Sequence, residues 1–230
     1  MKKLKKSDLY LFIGIVLLFV IIIIGYRFYQ SYYSNYNYLK LDRSKHLVYN
    51  ASKDQYGNFY QYRPMVNIKD ELGDIINKDI NDYLDNFTKE DVSITYEYDL
   101  SGKILSLILK VEDHSFVEST DVLYYRAYNV NLDTLEILPN ETVIGYYELS
   151  YDDINTVVNN KLNEYYNELV NRNLIDNSCN YNCFIKTRFY NESIDDIEYF
   201  IRDGKLVLFK PHVYISSTDS DESDNFEIIV

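Results

Sequence analysis

Three histidines, His46, His114 and His212, are the only imidazoles in the 230-residue chain. One stands in the string Asp113-His114-Ser115, which contains the three residue types of a hydrolytic triad. A triad works only if nucleophile, base and orienting carboxylate converge on one point. Consecutive residues of an extended chain point to opposite faces, so this string predicts no triad. His212, beside Pro211, reads as an exposed loop residue. The run Asp219-Ser-Asp-Glu-Ser-Asp224 places four carboxylates in six positions, a density that suggests calcium. An EF-hand loop needs glycine at its sixth position and glutamate at its twelfth, and counting from Asp219 those positions hold Asp224 and Val230. The segment 217–225 therefore reads as a solvated acidic loop, with weak cation binding left open. No HExxH, GxSxG, glycine-rich phosphate loop or basic stripe occurs. The residues predict no catalytic group, no metal site and no cofactor.

The two cysteines, Cys179 and Cys183, lie within Asn177-Ser-Cys-Asn-Tyr-Asn-Cys183. Without a nearby histidine they make a poor zinc site, and a CxxxC spacing is not the redox CxxC. In an oxidising compartment the pair is expected to form a local disulfide.

That compartment is inferred from the N-terminus. Leu9 to Tyr26 is an uncharged, almost wholly apolar run of eighteen residues, preceded by Lys2, Lys3, Lys5 and Lys6 and followed by Arg27. Eighteen helical residues reach roughly 27 Å, near the hydrocarbon thickness of a bilayer. The lysine excess predicts a single-pass membrane anchor with a cytoplasmic N-terminus and an extracytoplasmic remainder. Neither a small-x-small cleavage site nor a lipobox cysteine follows the run, which favours an uncleaved signal-anchor. The expected organisation is a cytoplasmic tail at 1–8, an anchor at 9–26, a tyrosine-rich stalk at 27–45, and two halves at 46–145 and 146–230.

After residue 30 the chain carries 18 basic and 35 acidic residues, a net charge of −17. Such a surface repels nucleic acid and anionic lipid headgroups and favours cationic partners. The abundance of Tyr, Asn, Ile and Lys fits an AT-rich bacterial genome.

The elements that must position these groups are legible from periodicity. Phe59–Val66 has strand character. Asp70 is placed to cap a helix over residues 71–87, with Leu72, Ile75, Ile76, Ile80, Tyr83 and Leu84 along one face. Val92–Leu100 and Ile104–Glu112 alternate around Ser101-Gly102 as a hairpin. Val122–Leu132 and Leu135–Leu138 follow as strands. Tyr151–Val170 reads as a second helix, its stripe formed by Ile154, Val157, Val158, Leu162, Tyr165, Tyr166 and Leu169. Asp152-Asp153 lies in its opening turn, where the macrodipole favours anions. Ile197–Arg202 and Lys205–Phe209 flank Asp203-Gly204, a type I′ hairpin turn. Short strands are expected at Tyr214–Ser216 and Phe226–Val230. The predicted fold class is α+β, an N-terminal transmembrane helix followed by an extracytoplasmic domain of mostly antiparallel sheet with two main helices.

Two segments also carry a resemblance. Tyr128-Asn-Val-Asn-Leu-Asp-Thr-Leu-Glu-Ile-Leu138 resembles a hairpin that precedes a helix in a bacterial extracellular family. The run from Ile197 to Tyr214, with Asp203-Gly204 at its turn and Phe209-Lys-Pro-His-Val at its end, resembles that family's aromatic hairpin. The family is the RsiV/PdaC-like domain of the anti-sigma-V factor and lysozyme receptor and of the N-terminal part of PdaC-type peptidoglycan deacetylases. The likeness spans roughly residues 45–230 and is strongest from 120 to 214. His212 and Val213 depart from the tyrosine and hydrophobic residue usual there, and the acidic loop replaces a glycine-containing one. The eight residues expected on the cytoplasmic side leave no room for a sigma-binding domain. The chain also ends before a deacetylase domain could begin. The resemblance therefore implies a fold and a location but no activity.

These readings favour a membrane-anchored, non-enzymatic domain that binds a cell-envelope component or a cationic protein such as a lysozyme-like hydrolase. The alternative is an accessory or divergent peptidoglycan-modifying protein related to the deacetylases.

Overall fold

The structure, a computed structural model, describes residues 14–27, 39–42, 44–87, 89–115, 120–175, 178–189, 194–215 and 226–230. The chain divides into two compact units, residues 1–40 and 41–230. In the first, a helix (α1) covers residues 14–27. Among the described residues no helix is long and apolar enough to cross a membrane. This corrects the expected span at 9–26, of which residues 9–13 lie outside the described residues. The single-pass anchor, and the extracytoplasmic placement derived from it, are not supported.

The second unit is α+β. Its larger sheet runs β1(Val48–Tyr56), β2(Phe59–Val66), β3(Val92–Ser101), β4(Ile104–Asp113), β5(Thr120–Asn131) and β6(Glu136–Ile137), with β9(His212–Ile215) also on β5. Every pairing is antiparallel except β2 with β3, which meet in parallel at Gln61 and Ile94. The helix α2(Glu71–Leu84) makes that crossover. Asp70 caps it by accepting a hydrogen bond from the Gly73 amide. Ile76, Ile80 and Leu84 are fully buried. Residues 85–87, expected as α-helix, tighten into a 3-10 turn.

The smaller sheet has the order β10(Glu227–Ile229), β8(Lys205–Phe209), β7(Glu198–Arg202). Asp203 (φ 51°) and Gly204 (φ 74°) both adopt the left-handed region that a type I′ turn requires. One face of this sheet packs Phe200, Val207 and Phe209 against Ile108, Leu123 and Tyr125 of the larger sheet. The other buries Tyr199, Ile201, Leu206 and Leu208 under α3(Asn140–Gly145), α4(Tyr151–Asn171) and α5(Tyr181–Arg188).

A buried polar network joins the two sheets. Ser106 Oγ donates to Asn129 and accepts from the Ile201 amide, and Asn129 Nδ2 donates to the Tyr199 carbonyl. At the rim Arg202 pairs with Glu97 and Glu227.

Three elements escaped the sequence reading. β1 is polar over NASKDQY and lacks apolar alternation. The short α3 follows Pro139, and α5 occupies what had looked like a cysteine loop.

Candidate binding groove

The groove begins with how α2 is seated. A Cβ on Gly73 would come within 1.8 Å of the Ile68 carbonyl oxygen, so only glycine allows the helix to approach that closely. With Ile76, Ile80 and Leu84 turned inward, Leu72 is left half-buried on the helix flank and Ile75 points to solvent. The sequence reading had placed Ile75 in the buried stripe; it is 52% exposed.

Across from this flank the β5–β6 hairpin turns through Leu135 in the left-handed region (φ 56°), and the Leu138 amide donates to the Asn129 carbonyl. Pro139 then starts α3. Ile137 (43% exposed) and Tyr146 (53%) thus come to face Leu72 and Ile75. The groove between them holds about 650 Å³ and also includes Glu136, Leu138, Pro139 and Thr142. Isolated exposed apolar residues are ordinary, whereas several converging on one concavity mark an interaction surface.

Ile75 also borders a second hollow of about 740 Å³ on the N-terminal side of α2, which includes Asp70, Glu71 and Asp74. Its lysines have neighbours of their own. Lys69 lies 3.7 Å from Asp42, Lys78 pairs with Asp82, and Lys45 sits 4.0 Å over the Tyr49 ring. Among the described residues no cation pairs with Glu71, Asp74 or Glu136. The apolar groove is therefore bordered by outward-facing carboxylates.

The residues singled out for chemistry are dispersed. Ser115 donates through both amide and Oγ to Asp113, while His114 turns to Asp121, with Nδ1 3.0 Å from its Oδ1. Phe59 stacks on the imidazole at 4.6 Å. Neighbouring side chains thus diverge as alternation requires, and no triad assembles. His46 is exposed. His212, expected in an exposed loop, is 1% exposed. It pairs through β9 with β5, and its ring lies against Phe189 and Phe226. Nδ1 donates to the Lys210 carbonyl. Strand pairing and two aromatic rings bury it, which adjacency to proline could not reveal.

Cys179 and Cys183 are joined, with Sγ atoms 2.09 Å and Cα atoms 5.2 Å apart. The bridge spans the first turn of α5, whose cap Asn180 accepts from the Cys183 amide. The acidic loop lies outside the described residues, apart from its flank at Phe226. No group of three or more metal-ligating side chains occurs among the described residues.

The sequence reading also missed a set of ionisable groups near β5. Burial raises the Glu198 carboxyl to about 7, although it accepts from the Ala127 amide at 2.9 Å and feels Arg126. Burial alone would raise Asp79 as well, but hydrogen bonds from Tyr128 and Arg126 hold it below the usual carboxylate range. Lys210, almost wholly buried, donates to Asp196 at 2.6 Å. In the sequence this pairing leaves only the adjacent acids Asp195-Asp196 as a trace.

No family model, no curated protein and no solved structure matches the chain.

Proposed function

We propose that this domain is a non-enzymatic binding module for a cationic protein, such as a lysozyme-like hydrolase. The observation that carries the reading is the convergence of Ile75, Ile137 and Tyr146 on one groove, bordered by Glu71, Asp74 and Glu136. Binding energy at interfaces concentrates in a few apolar and aromatic anchors surrounded by polar contacts. The carboxylates add electrostatic steering and orientation toward a basic partner. The net charge of −17 after residue 30 and the resemblance to lysozyme receptors point the same way.

Charge alone would attract any basic protein at low salt, so salt separates the two cases. At 0.15 M ionic strength the screening length is about 8 Å, and long-range attraction between exposed charges is largely lost. Calorimetric titration of the full chain with a lysozyme at that salt is expected to show heat with a defined stoichiometry. Tyr146→Ala and Ile75→Ala should each weaken binding at least about tenfold, in line with loss of an interface anchor. Disappearance of the heat at 0.15 M salt, or wild-type affinity in both variants, would overturn the reading.

A further inference from the structure

The tyrosines of β2 and β3 form a surface that the α2 groove does not use. Tyr60 and Tyr62 are alternate residues of β2 and so share one face of the strand. Their ring centroids are 6.3 Å apart and their planes 29° from parallel. Rings stacked in direct contact would approach to about 4 Å, so these two lie side by side. On β1, Lys53 stands opposite Tyr62 and Gln55 opposite Tyr60. The Lys53 Nζ is 4.2 Å from the Tyr60 ring centre and 5.0 Å from that of Tyr62, and one ammonium thus spans both ring faces. Tyr96 of β3 meets Tyr62 edge-on, at 6.4 Å and 71°. Tyr60 is 39% exposed, and Tyr62 and Tyr96 are half-buried. Asp54, the one acid in β1 and β2, pairs with Gln61 and so belongs to the opposite face. The result is a row of phenol rings with a single charge, that of Lys53.

We propose that Tyr60, Tyr62 and Tyr96 form a binding platform for a β-1,4-linked chain of neutral sugars. Clustered rings at a surface mark an interaction site, and charge and shape decide what it takes. Lys53 repels the cationic protein assigned to the α2 groove, while the net charge of −17 after residue 30 disfavours a polyanion. A neutral ligand with apolar faces and hydroxyl edges satisfies both limits. A pyranose turns its C–H face to a ring and its hydroxyls outward, matching the apolar face and polar tip of tyrosine. Gln55 and Lys53 supply an amide and an ammonium at the edge of the rings as hydrogen-bonding groups. A β-1,4 linkage keeps successive sugars in a flat ribbon, which two rings lying side by side can follow, whereas an α-1,4 chain curls away. The Lys53 ammonium lifts to admit the sugar, because an exposed cation–π contact is weak and the lysine stem is flexible. The platform and the groove share no residue, so the failure of one leaves the other standing.

The test is saturation-transfer NMR of the full chain with cellohexaose and with chitohexaose, which share the β-1,4 backbone and differ in the acetamido group. Maltohexaose, α-1,4-linked, is the curled control. Saturable binding of at least one β-1,4 hexaose is expected, with none of maltohexaose. Tyr60→Ala should weaken that binding about tenfold, and Tyr60→Phe, which keeps the ring, should change it by less than about threefold. Thermal melts of both variants establish that the fold is retained, and the contrast between the β- and α-linked sugars depends on no variant. No saturable signal from either β-1,4 hexaose, equal binding of maltohexaose, or wild-type affinity in Tyr60→Ala would overturn the platform. A loss in Tyr60→Phe as large as that in Tyr60→Ala would also overturn it, since the hydroxyl and not the ring would then carry the contact.

Discussion

The helices α2 and α4 look alike as sequence, each with apolar residues at three- and four-residue spacing, yet they place those residues differently. In α4, Ile154, Val158, Leu162 and Leu169 are all buried against the smaller sheet and α5. In α2, Ile76, Ile80 and Leu84 are fully buried while Ile75 stays exposed next to Ile137 and Tyr146. An apolar stripe wider than the core beneath it leaves a remainder at the surface. On α4 the remaining stripe residues Val157, Tyr165 and Tyr166 stay half-buried against the core, and on α2 Ile75 lines a groove. The comparison separates residues that hold the fold from residues available to a partner.

The sharpest way to break this contrast is to truncate both stripes. Leu162→Ala should reduce unfolding free energy by about 2–5 kcal/mol, as expected for a large-to-small change in a closed core. Ile75→Ala should change it by no more than about 0.5 kcal/mol, as expected at a surface. Urea melts of the two variants measure both, and similar losses would end the distinction. A second variant probes the seam between the sheets. Ser106→Ala removes a partner from Asn129 and from the Ile201 amide, both inside the protein, and should be destabilising by about 1–3 kcal/mol. A loss below about 0.5 kcal/mol would mean that the seam adds little.

The Cys179–Cys183 bridge ranks next. Cross-linking removes chain entropy from the unfolded state, and for a loop this short the effect is at most about 2 kcal/mol. Reduction should therefore lower the melting temperature of the α4–α5 side modestly and leave affinity at the α2 groove unchanged. A fall in lysozyme affinity on reduction would show that the two regions are not separable.

The smallest expected effect concerns Glu198. Its carboxyl titrates at about 7 in the folded chain, raised by burial, against about 4.3 when unfolded. A raised carboxyl pKa means that the folded state holds the proton more tightly. This contribution to stability is fully present below about pH 4.3 and is lost as pH rises through 7. Its size is about 1–2 kcal/mol once partial exposure is allowed for. Glu198→Gln should flatten stability between pH 5 and 8 and raise it at pH 8. An unchanged slope in denaturant melts would contradict the shifted titration.

Much of the fold was legible because its signals are local. The periodicity of α2 and α4, the cap at Asp70 and the turn Asp203-Gly204 each lie within a few residues. What escaped depends on distant partners. The polar strand β1 exists because β2 offers it a ladder, and the α5 stripe of Phe184 and Ile185 matters only beneath α4. His212 is buried because a strand some ninety residues earlier pairs with it. Of the binding groove, the sequence revealed the apolar character of Ile75 and not its exposure, since which members of a stripe stay outside depends on the width of the sheet beneath. The Cys179–Cys183 pair was expected from an oxidising compartment together with its short spacing, and of those two grounds the spacing alone stands.

The pairing of β9 with β5 also bears on how the chain reaches this state. The hairpins β3–β4 and β7–β8 close over loops of two residues, but Thr120 must find Ile215 across half the length of the domain. Contacts of such long sequence separation are won late, because the entropy of closing the loop is lost before any strand pairing repays it. Pulse-labelled hydrogen exchange during refolding should accordingly find the β3–β4 amides protected early. The His212–Ile215 amides should follow last, in step with burial of the His212 ring between Phe189 and Phe226.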